Sequence, residues 1–581
     1  MSVIGHIRLG MMGCLLGFLF LPVPRATAGD DKVLRELLER VEKLEKQNEE
    51  LRKKLIESGP AGPYKPPAEV KDKETGKEKE KIEKVIDSYL KDQEKKKQEQ
   101  KAQQEDEGYE VGKQLDAKAR WTNHQLWVES EDKAFRFHLG GRLQFDAVFV
   151  HAPQRLMVPL SQQGIGEFDD AINFRRARLA AEGTLWEVFD FNCEYDFVNT
   201  VRIVPAGQRI DQEQSQIAGT AGTSADRNAT INTPVPTDLW GQIHGIPVIG
   251  NIRAGNQKQW ISMEHLTSSR FLDFLERSLA FDAFLENGNN GFVPGISAWR
   301  TLLDDRMHVG AGVYWPNFRD IFGWDVGDGE RQYVARVAGL PIFEENGRYL
   351  LHLGLAYMHS TADDGVIRFR ARPMTRNGPA VLHNIIAQIQ GQLHNYNLVV
   401  PELLVNCGPF TFASEYYGAW VDQRPGAPFT AVGTQTASRD LPRGGRGPLF
   451  YQGGYVQVGY FLTGESRGYE IPRASEGRQV PYENAFFVDG EEGCVVGRGG
   501  WEVLARYEYL DLNSQGVNGG VLHGSTLGVN WFLNPNAKVQ VNYTLVYRDA
   551  TQYKAGAVAP DGNSIRDGLI QGLGTRLAFD F

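Results

Sequence analysis

The sequence predicts an all-β chain whose larger part is a transmembrane antiparallel β-barrel, and three observations carry that prediction. Segments of about 9 to 11 residues alternate apolar and polar side chains from Phe135 to Phe581. The first residues read as an export signal. No later segment offers ~20 apolar residues in a row, so a mature chain that spans a membrane must do so as a closed barrel. Composition agrees, because 64 glycines and 11% aromatic residues suit a sheet with many turns. A length of 581 residues would otherwise imply several domains. The net charge of −10, with Lys and Arg not gathered on one short module, argues against a nucleic-acid partner.

Residues 1–28 form the expected signal peptide. Arg8 supplies the positive end, Gly10 to Val23 is largely apolar, and Ala26-Thr27-Ala28 is a small-residue cleavage site. Cys14 stands too early in that run to be a lipoprotein attachment cysteine. Residues 29–58 are expected to form a coiled coil: Leu34, Leu37, Val41, Leu44, Asn48, Leu51 and Leu55 recur at spacings of three and four. Asn48 stands at an a position, where a polar residue fixes register and oligomer number. Residues 59–134 open on a Pro/Gly break and continue as a Lys/Glu-rich periplasmic spacer, of which 69–107 reads as either a solvated helix or disordered.

The barrel is expected over 135–581. In its first strand Phe135, Phe137, Leu139, Leu143, Phe145, Ala147 and Phe149 share one parity, interrupted only by Gly141. The pattern returns at Phe189 to Phe197, at Trp501 to Tyr509, at Val539 to Tyr547 and at Leu573 to Phe581. A soluble β-sandwich also alternates. Long strands, aromatic residues at strand ends and charges at mid-strand favour a barrel with a wet interior. Cys193 falls on the apolar parity, as a small outward hydrophobe would, and no Cys spacing suggests a zinc site or disulfide framework.

Arginine placement is the remaining signal. Arg142 lies on the polar parity of the first strand, and Arg176 and Arg178 on that of the second, whereas Arg175 has the opposite parity and an open direction. Arg368, Arg370 and Arg372 repeat every second residue and align on one face of an extended segment; Pro373 and Gly378-Pro379 place that segment in a loop. Guanidinium groups hold phosphate by paired donors and stay charged, so such rows suit an oxyanion path. An isolated Arg reads more readily as a lumen residue that balances Asp146, Asp190 or Glu194, and the row 368, 370 and 372 is where the anion reading stands level with it. No Gly-x-Ser-x-Gly elbow or metal-binding His pair occurs, and His124, His138 and His265 are scattered, so no catalytic centre, metal or cofactor is expected.

Six blocks, in order, carry a resemblance: Phe135-Arg-Phe-His-Leu-Gly-Gly-Arg-Leu-Gln-Phe-Asp146, Phe174-Arg-Arg-Ala-Arg-Leu179, Leu266-Thr-Ser-Ser-Arg-Phe271 with Leu275-Glu-Arg277, the arginine row 368 to 376, Leu462-Thr-Gly-Glu465 and Leu527-Gly-Val-Asn-Trp531. From about Phe135 to Phe581 the chain resembles the phosphate-selective porins of the O and P type. The resemblance implies 16-stranded barrels associated as homotrimers in the outer membrane, with an inward loop and an arginine-lined constriction. Carried over by position, it marks Arg142, Arg175, Arg176, Arg368, Arg370, Arg372 and Arg376 as constriction residues and small anions, phosphate among them, as the cargo. Where such porins have lysines near Thr-Ser-Ser, this sequence has His265 and Arg270, and the stretch between Val201 and Pro236 has no counterpart. A structural reading stands beside the channel: a barrel that anchors a periplasmic coiled coil and tethers the outer membrane to the cell wall.

Overall fold

The computed structural model describes residues 117–157, 170–203, 231–286, 291–316, 318–320, 323–324, 331–361, 366–372, 385–391, 393–423, 429–431, 448–490, 493–515, 517–549 and 567–581. The expected signal peptide, the coiled coil and the spacer up to residue 116 lie outside them. So does Arg376.

Sixteen long strands make the wall. They are β1 (Arg136–His151), β2 (Ala171–Leu185), β3 (Phe189–Ile203), β4 (Ile231–Ile246), β5 (Gly250–Lys258), β6 (Phe292–Leu302), β7 (Met307–Tyr314) and β8 (Gln332–Glu344). The second half holds β9 (Tyr349–Thr361), β10 (Leu393–Cys407), β11 (Phe410–Gln423), β12 (Leu449–Phe461), β13 (Gly500–Ser514), β14 (Val517–Asn534), β15 (Ala537–Asp549) and β16 (Asp567–Asp580). Each pairs antiparallel with its sequence neighbour, and β16 returns to β1 from Gln571↔His151 to Asp580↔Arg142. The sheet is closed. A closed ring leaves no backbone edge in the hydrocarbon layer.

Period two sets the two faces of the wall. Phe137, Leu139, Leu143, Phe145 and Phe149 of β1 are exposed outward, while His138, Arg142, Gln144, Asp146 and Val148 are buried inward. Gly141 breaks the alternation for a steric reason: a Cβ there would lie 2.6 Å from the Arg178 carbonyl and 2.9 Å from the Phe581 ring. The C-terminal residue closes on the same glycine, Phe581 N donating to Gly141 O at 3.2 Å. Aromatic pairs stand near both rims, Trp501 on Trp531 at 5.0 Å and Trp420 beside Phe450 at 4.9 Å.

At one end, connections such as 186–188, 247–249 and 408–409 are short; at the other most are long, the two-residue link 515–516 between β13 and β14 excepted. Besides the inner strand Val366–Ala371, two segments enter the interior. Residues 259–286, after β5 at the long-loop end, carry two short helices, α1 (Met263–Leu266) and α2 (Leu279–Phe284). Residues 462–499, between β12 and β13, enter from the short-turn end. The two meet where Arg467 is ion-paired to Asp273 of the first segment and to Glu502 of the wall.

The apolar core therefore lies inside the barrel. Trp260, Leu279, Ala280, Phe281 and Phe284 pack with Tyr396, Leu398, Tyr417, Tyr451 and Leu510 from the inner wall. Ile367, Phe369 and Ala371 join them from a strand, Val366–Ala371, that pairs with Ile385–Gly391 in a sheet separate from the wall. This is the loop position that Pro373 implies. A two-stranded hairpin, Ala117–Thr122 with Gln125–Ser130, precedes the barrel and pairs with the start of β1 through Val128↔Phe137 and Glu129↔Arg136.

Candidate functional site

The inward segment 259–286 is held by its backbone. Ser262 adopts φ 63° and caps α1, its hydroxyl accepting from His265 N at 3.0 Å. Glu415 of β11 accepts from Met263 N at 2.6 Å and Glu264 N at 3.2 Å, so a wall carboxylate meets the helix start. At the other end of α1, Lys258 Nζ donates to the carbonyls of His265 and Thr267 at 2.6 and 2.9 Å. Farther along, Leu275 N donates to Asn542 Oδ1 at 2.8 Å, and Leu272 O accepts from Lys538 Nζ at 2.7 Å. Ser278 caps α2, and Glu264 accepts from the Ser278 backbone N–H at 2.9 Å and hydroxyl at 2.7 Å.

This bracing sets the segment against an arginine-rich wall. Arg142 donates to Ser269 Oγ at 2.8 Å and is ion-paired with Glu194. Arg178, directly opposite Arg142 in the ladder, reaches the same Glu194 at 3.1 Å and Asp196 at 2.9 Å. Like charges facing across a ladder repel, and Glu194 between them offsets that cost. Arg175 and Arg176 both turn inward because the register between β1 and β2 shifts at Gln144/Phe145, leaving Arg175 as an extra residue. Strict parity could not have shown this. Arg175 then grips Glu276 with two bonds, 2.6 and 3.1 Å, while Arg176, among the described residues, donates to Gln144 Oε1 alone, at 2.6 Å.

A cavity of about 380 Å³ at the short-turn rim, with Arg142, Arg270, Arg478 and Lys538 against Asp580, borders the segment. Two larger ones flank it. One, about 600 Å³, lies toward the short-turn ends of β2 and β3 and is lined by Arg142, Arg176, Arg178, Lys258, Arg270, Arg277 and Arg473, with only Glu182, Glu194 and Asp238 as carboxylates. Its polar lining is completed by Ser268, Ser269 and Asn192. The other, about 660 Å³, lies toward the long-loop ends of β15 and β16 and is balanced, Arg277, Arg372 and Arg506 against Glu276, Asp282 and Glu508. Arg277 borders both. Its guanidinium donates to the Glu264 carbonyl at 2.9 Å and the Thr267 carbonyl at 2.7 Å, and sits 5.0 Å from the Phe281 ring. Burial lowers its pKa to about 10, which leaves it a cation at neutral pH.

The expected residues are thus divided. Arg142 and Arg176 line the basic cavity; Arg175 braces Glu276 beside it. Arg372 lines the balanced cavity and is matched there, its Nη2 lying 3.1 Å from Asp282 and 3.3 Å from Glu286. Arg370 is buried on the same inner strand; the Arg368 side chain and all of Arg376 lie outside the described residues. Lys258, Arg270 and Arg277 belong to the site without having been singled out as site residues from the sequence. The available signals were the block Leu266-Thr-Ser-Ser-Arg-Phe271 and Leu275-Glu-Arg277. His265 adds no charge, because burial, with Lys258 and Arg277 nearby, holds its pKa well below the ordinary value.

The model of the phosphate-selective porin O and P family matches residues 158–571. The chain belongs to that family. It is an outer-membrane porin. It is 24% identical over 460 residues to Porin O of Pseudomonas aeruginosa, covering 76% of this chain and 90% of that protein. An uncharacterized Caulobacter vibrioides protein is 25% identical over 460 residues, covering 78% and 75% respectively. Among solved structures, the porin is similar to an anion-selective porin from Comamonas acidovorans at a TM-score of 0.41 and 12% identity, covering 77% of this chain and 100% of that one. The trimer form of OmpT from Vibrio cholerae gives 0.40 and 11%, with the same coverage.

Proposed function

We propose that the porin passes small anions, phosphate among them, by passive diffusion along a path from the balanced cavity, past Arg277, into the basic cavity. The observation that carries this reading is the under-satisfied donor set of the basic cavity: the Nε groups of Arg142 and Arg176 are buried with no hydrogen-bond partner among the described residues, and that of Arg270 faces the Asp580 carboxylate at 3.7 Å, beyond hydrogen-bond reach. A tetrahedral oxyanion supplies acceptors for several such donors at once. Each cation about 4 Å from an anion contributes roughly 1 to 4 kcal/mol at water-like to surface-like dielectric, and the carboxylates of the same cavity keep the hold shallow enough for release. The name of the family points to phosphate, and the porin from Comamonas acidovorans is described as anion-selective. The homotrimer and a periplasmic position for the N-terminal region belong to the same reading, since OmpT was solved as a trimer and the seam around Asn48 suits an oligomer.

Phosphate titrated into single-channel chloride recordings of the refolded porin tests the reading. Saturable reduction of the chloride current is expected. A chloride current indifferent to phosphate would remove phosphate from the reading, and an inserted barrel without current would favour the anchor.

A further inference from the structure

We propose that the hairpin Ala117–Thr122/Gln125–Ser130 docks on the phospholipid leaflet at the short-turn rim, prolonging the lipid-contacting wall across the barrel seam. β16 ends opposite Arg142, and Phe581 closes on Gly141, so the stretch of β1 below these residues has no partner from β16. The hairpin takes that edge. Val128 pairs with Phe137 and Glu129 with Arg136, and the ring Nδ1 of His138 lies 2.9 Å from Leu126 O. The hairpin turn is tied to the wall as well, Asn536 Nδ2 donating to His124 O at 3.1 Å.

Register then decides which face points where. Trp121 pairs with Leu126, Ala119 with Val128, and Val128 with Phe137, so these side chains share the outward face of β1. Trp121 is 69% exposed, Leu126 53%, Val128 41% and Phe137 44%. The opposite face satisfies itself. Arg120 and Arg136 reach Glu129 at 3.1 and 3.2 Å, and Trp127 stacks on His138 at 5.2 Å with Arg136 over its ring at 4.7 Å.

An apolar face continuous in register with a lipid-facing wall, and backed by a closed polar face, takes the same solvent as that wall. Short turns of outer-membrane barrels face the periplasm, so the leaflet at this rim is the phospholipid one. Trp121 suits the interfacial layer, where an indole combines an apolar ring with one donor. The competing occupant is a second copy of the chain, covering the same face at a subunit boundary.

Nitroxide labels on the full-length porin separate the two. With the native cysteines replaced, W121C, L126C and K118C are labelled one at a time in phospholipid vesicles, and collision rates with oxygen and a water-soluble nickel chelate are recorded. Chloride conductance of each labelled porin checks that the barrel has folded. Labels at 121 and 126 are expected to show a several-fold higher ratio of oxygen to nickel collisions than the label at 118. Equal ratios at all three positions would overturn the proposal in favour of a solvated hairpin. Labels at 121 and 126 shielded from both reagents, with dipolar broadening between subunits, would overturn it in favour of the second copy.

Discussion

Arg176 bonds to Gln144 and has no ion-paired carboxylate among the described residues, whereas Arg142 and Arg178 share Glu194. Charge deletions of opposite sign at this cavity should therefore move phosphate affinity in opposite directions. Arg176→Ala should raise the half-blocking phosphate concentration roughly tenfold, which is about 1.4 kcal/mol and within the range for one charge near 4 Å. Glu194→Gln should lower it, because the cavity keeps its cations and loses one carboxylate. Both are read from phosphate block of chloride current, and a shift in the same direction for both would contradict the assignment. At this scale, parity alone places Arg142, Arg176 and Arg178 inside the barrel, since an uninterrupted strand alternates. It could not place Arg175, whose direction depends on a register shift against β1. Nor could it show that Arg372 meets Asp282 and Glu286, ninety and eighty-six positions back along the chain.

The segment 259–286 behaves as an element because wall side chains bind its backbone at both ends. Asn542 holds its middle through Leu275 N. Asn542→Ala leaves that buried N–H without its acceptor, a penalty of about 1 to 3 kcal/mol that favours detachment from the wall. The expected outcome is a larger, noisier single-channel conductance; an unchanged current would mean that the remaining bonds to Leu272, Asp273 and Leu275 carbonyls suffice. The wall strands were legible because their period is two and their outer face is lipid. The inward segment was less so, since Trp260, Leu266, Phe271, Phe274, Leu279 and Phe284 follow no strand period and pack inside the lumen. Its local traces are Ser262 and Ser278, the second ahead of a mainly apolar run, each of which caps a short helix. The arginine row behaves in the reverse way. Pro373 marked it as lying off the wall, but Ile367, Phe369 and Ala371 of the same strand are the residues packed in the core.

Over the whole molecule the wall is closed, an apolar core lies inside it, and excess positive charge collects beside the inward segment, in a smaller cavity at the short-turn rim and in the basic cavity. The net charge of −10 gives no hint of this, since composition averages over a lumen in which most arginines are paired. What position in the sequence cannot convey is which cations remain unpaired, because the pairs join residues from tens to hundreds of positions apart, such as Arg142 with Glu194 and Arg576 with Asp146. The central claim is that the basic cavity makes the path anion-selective. The direct test is the zero-current potential of the full porin in a planar bilayer under a potassium chloride gradient. A potential of the sign set by chloride is predicted, moving toward zero in Arg277→Ala; a potential of the sign set by potassium, or no difference between wild type and that variant, would contradict it.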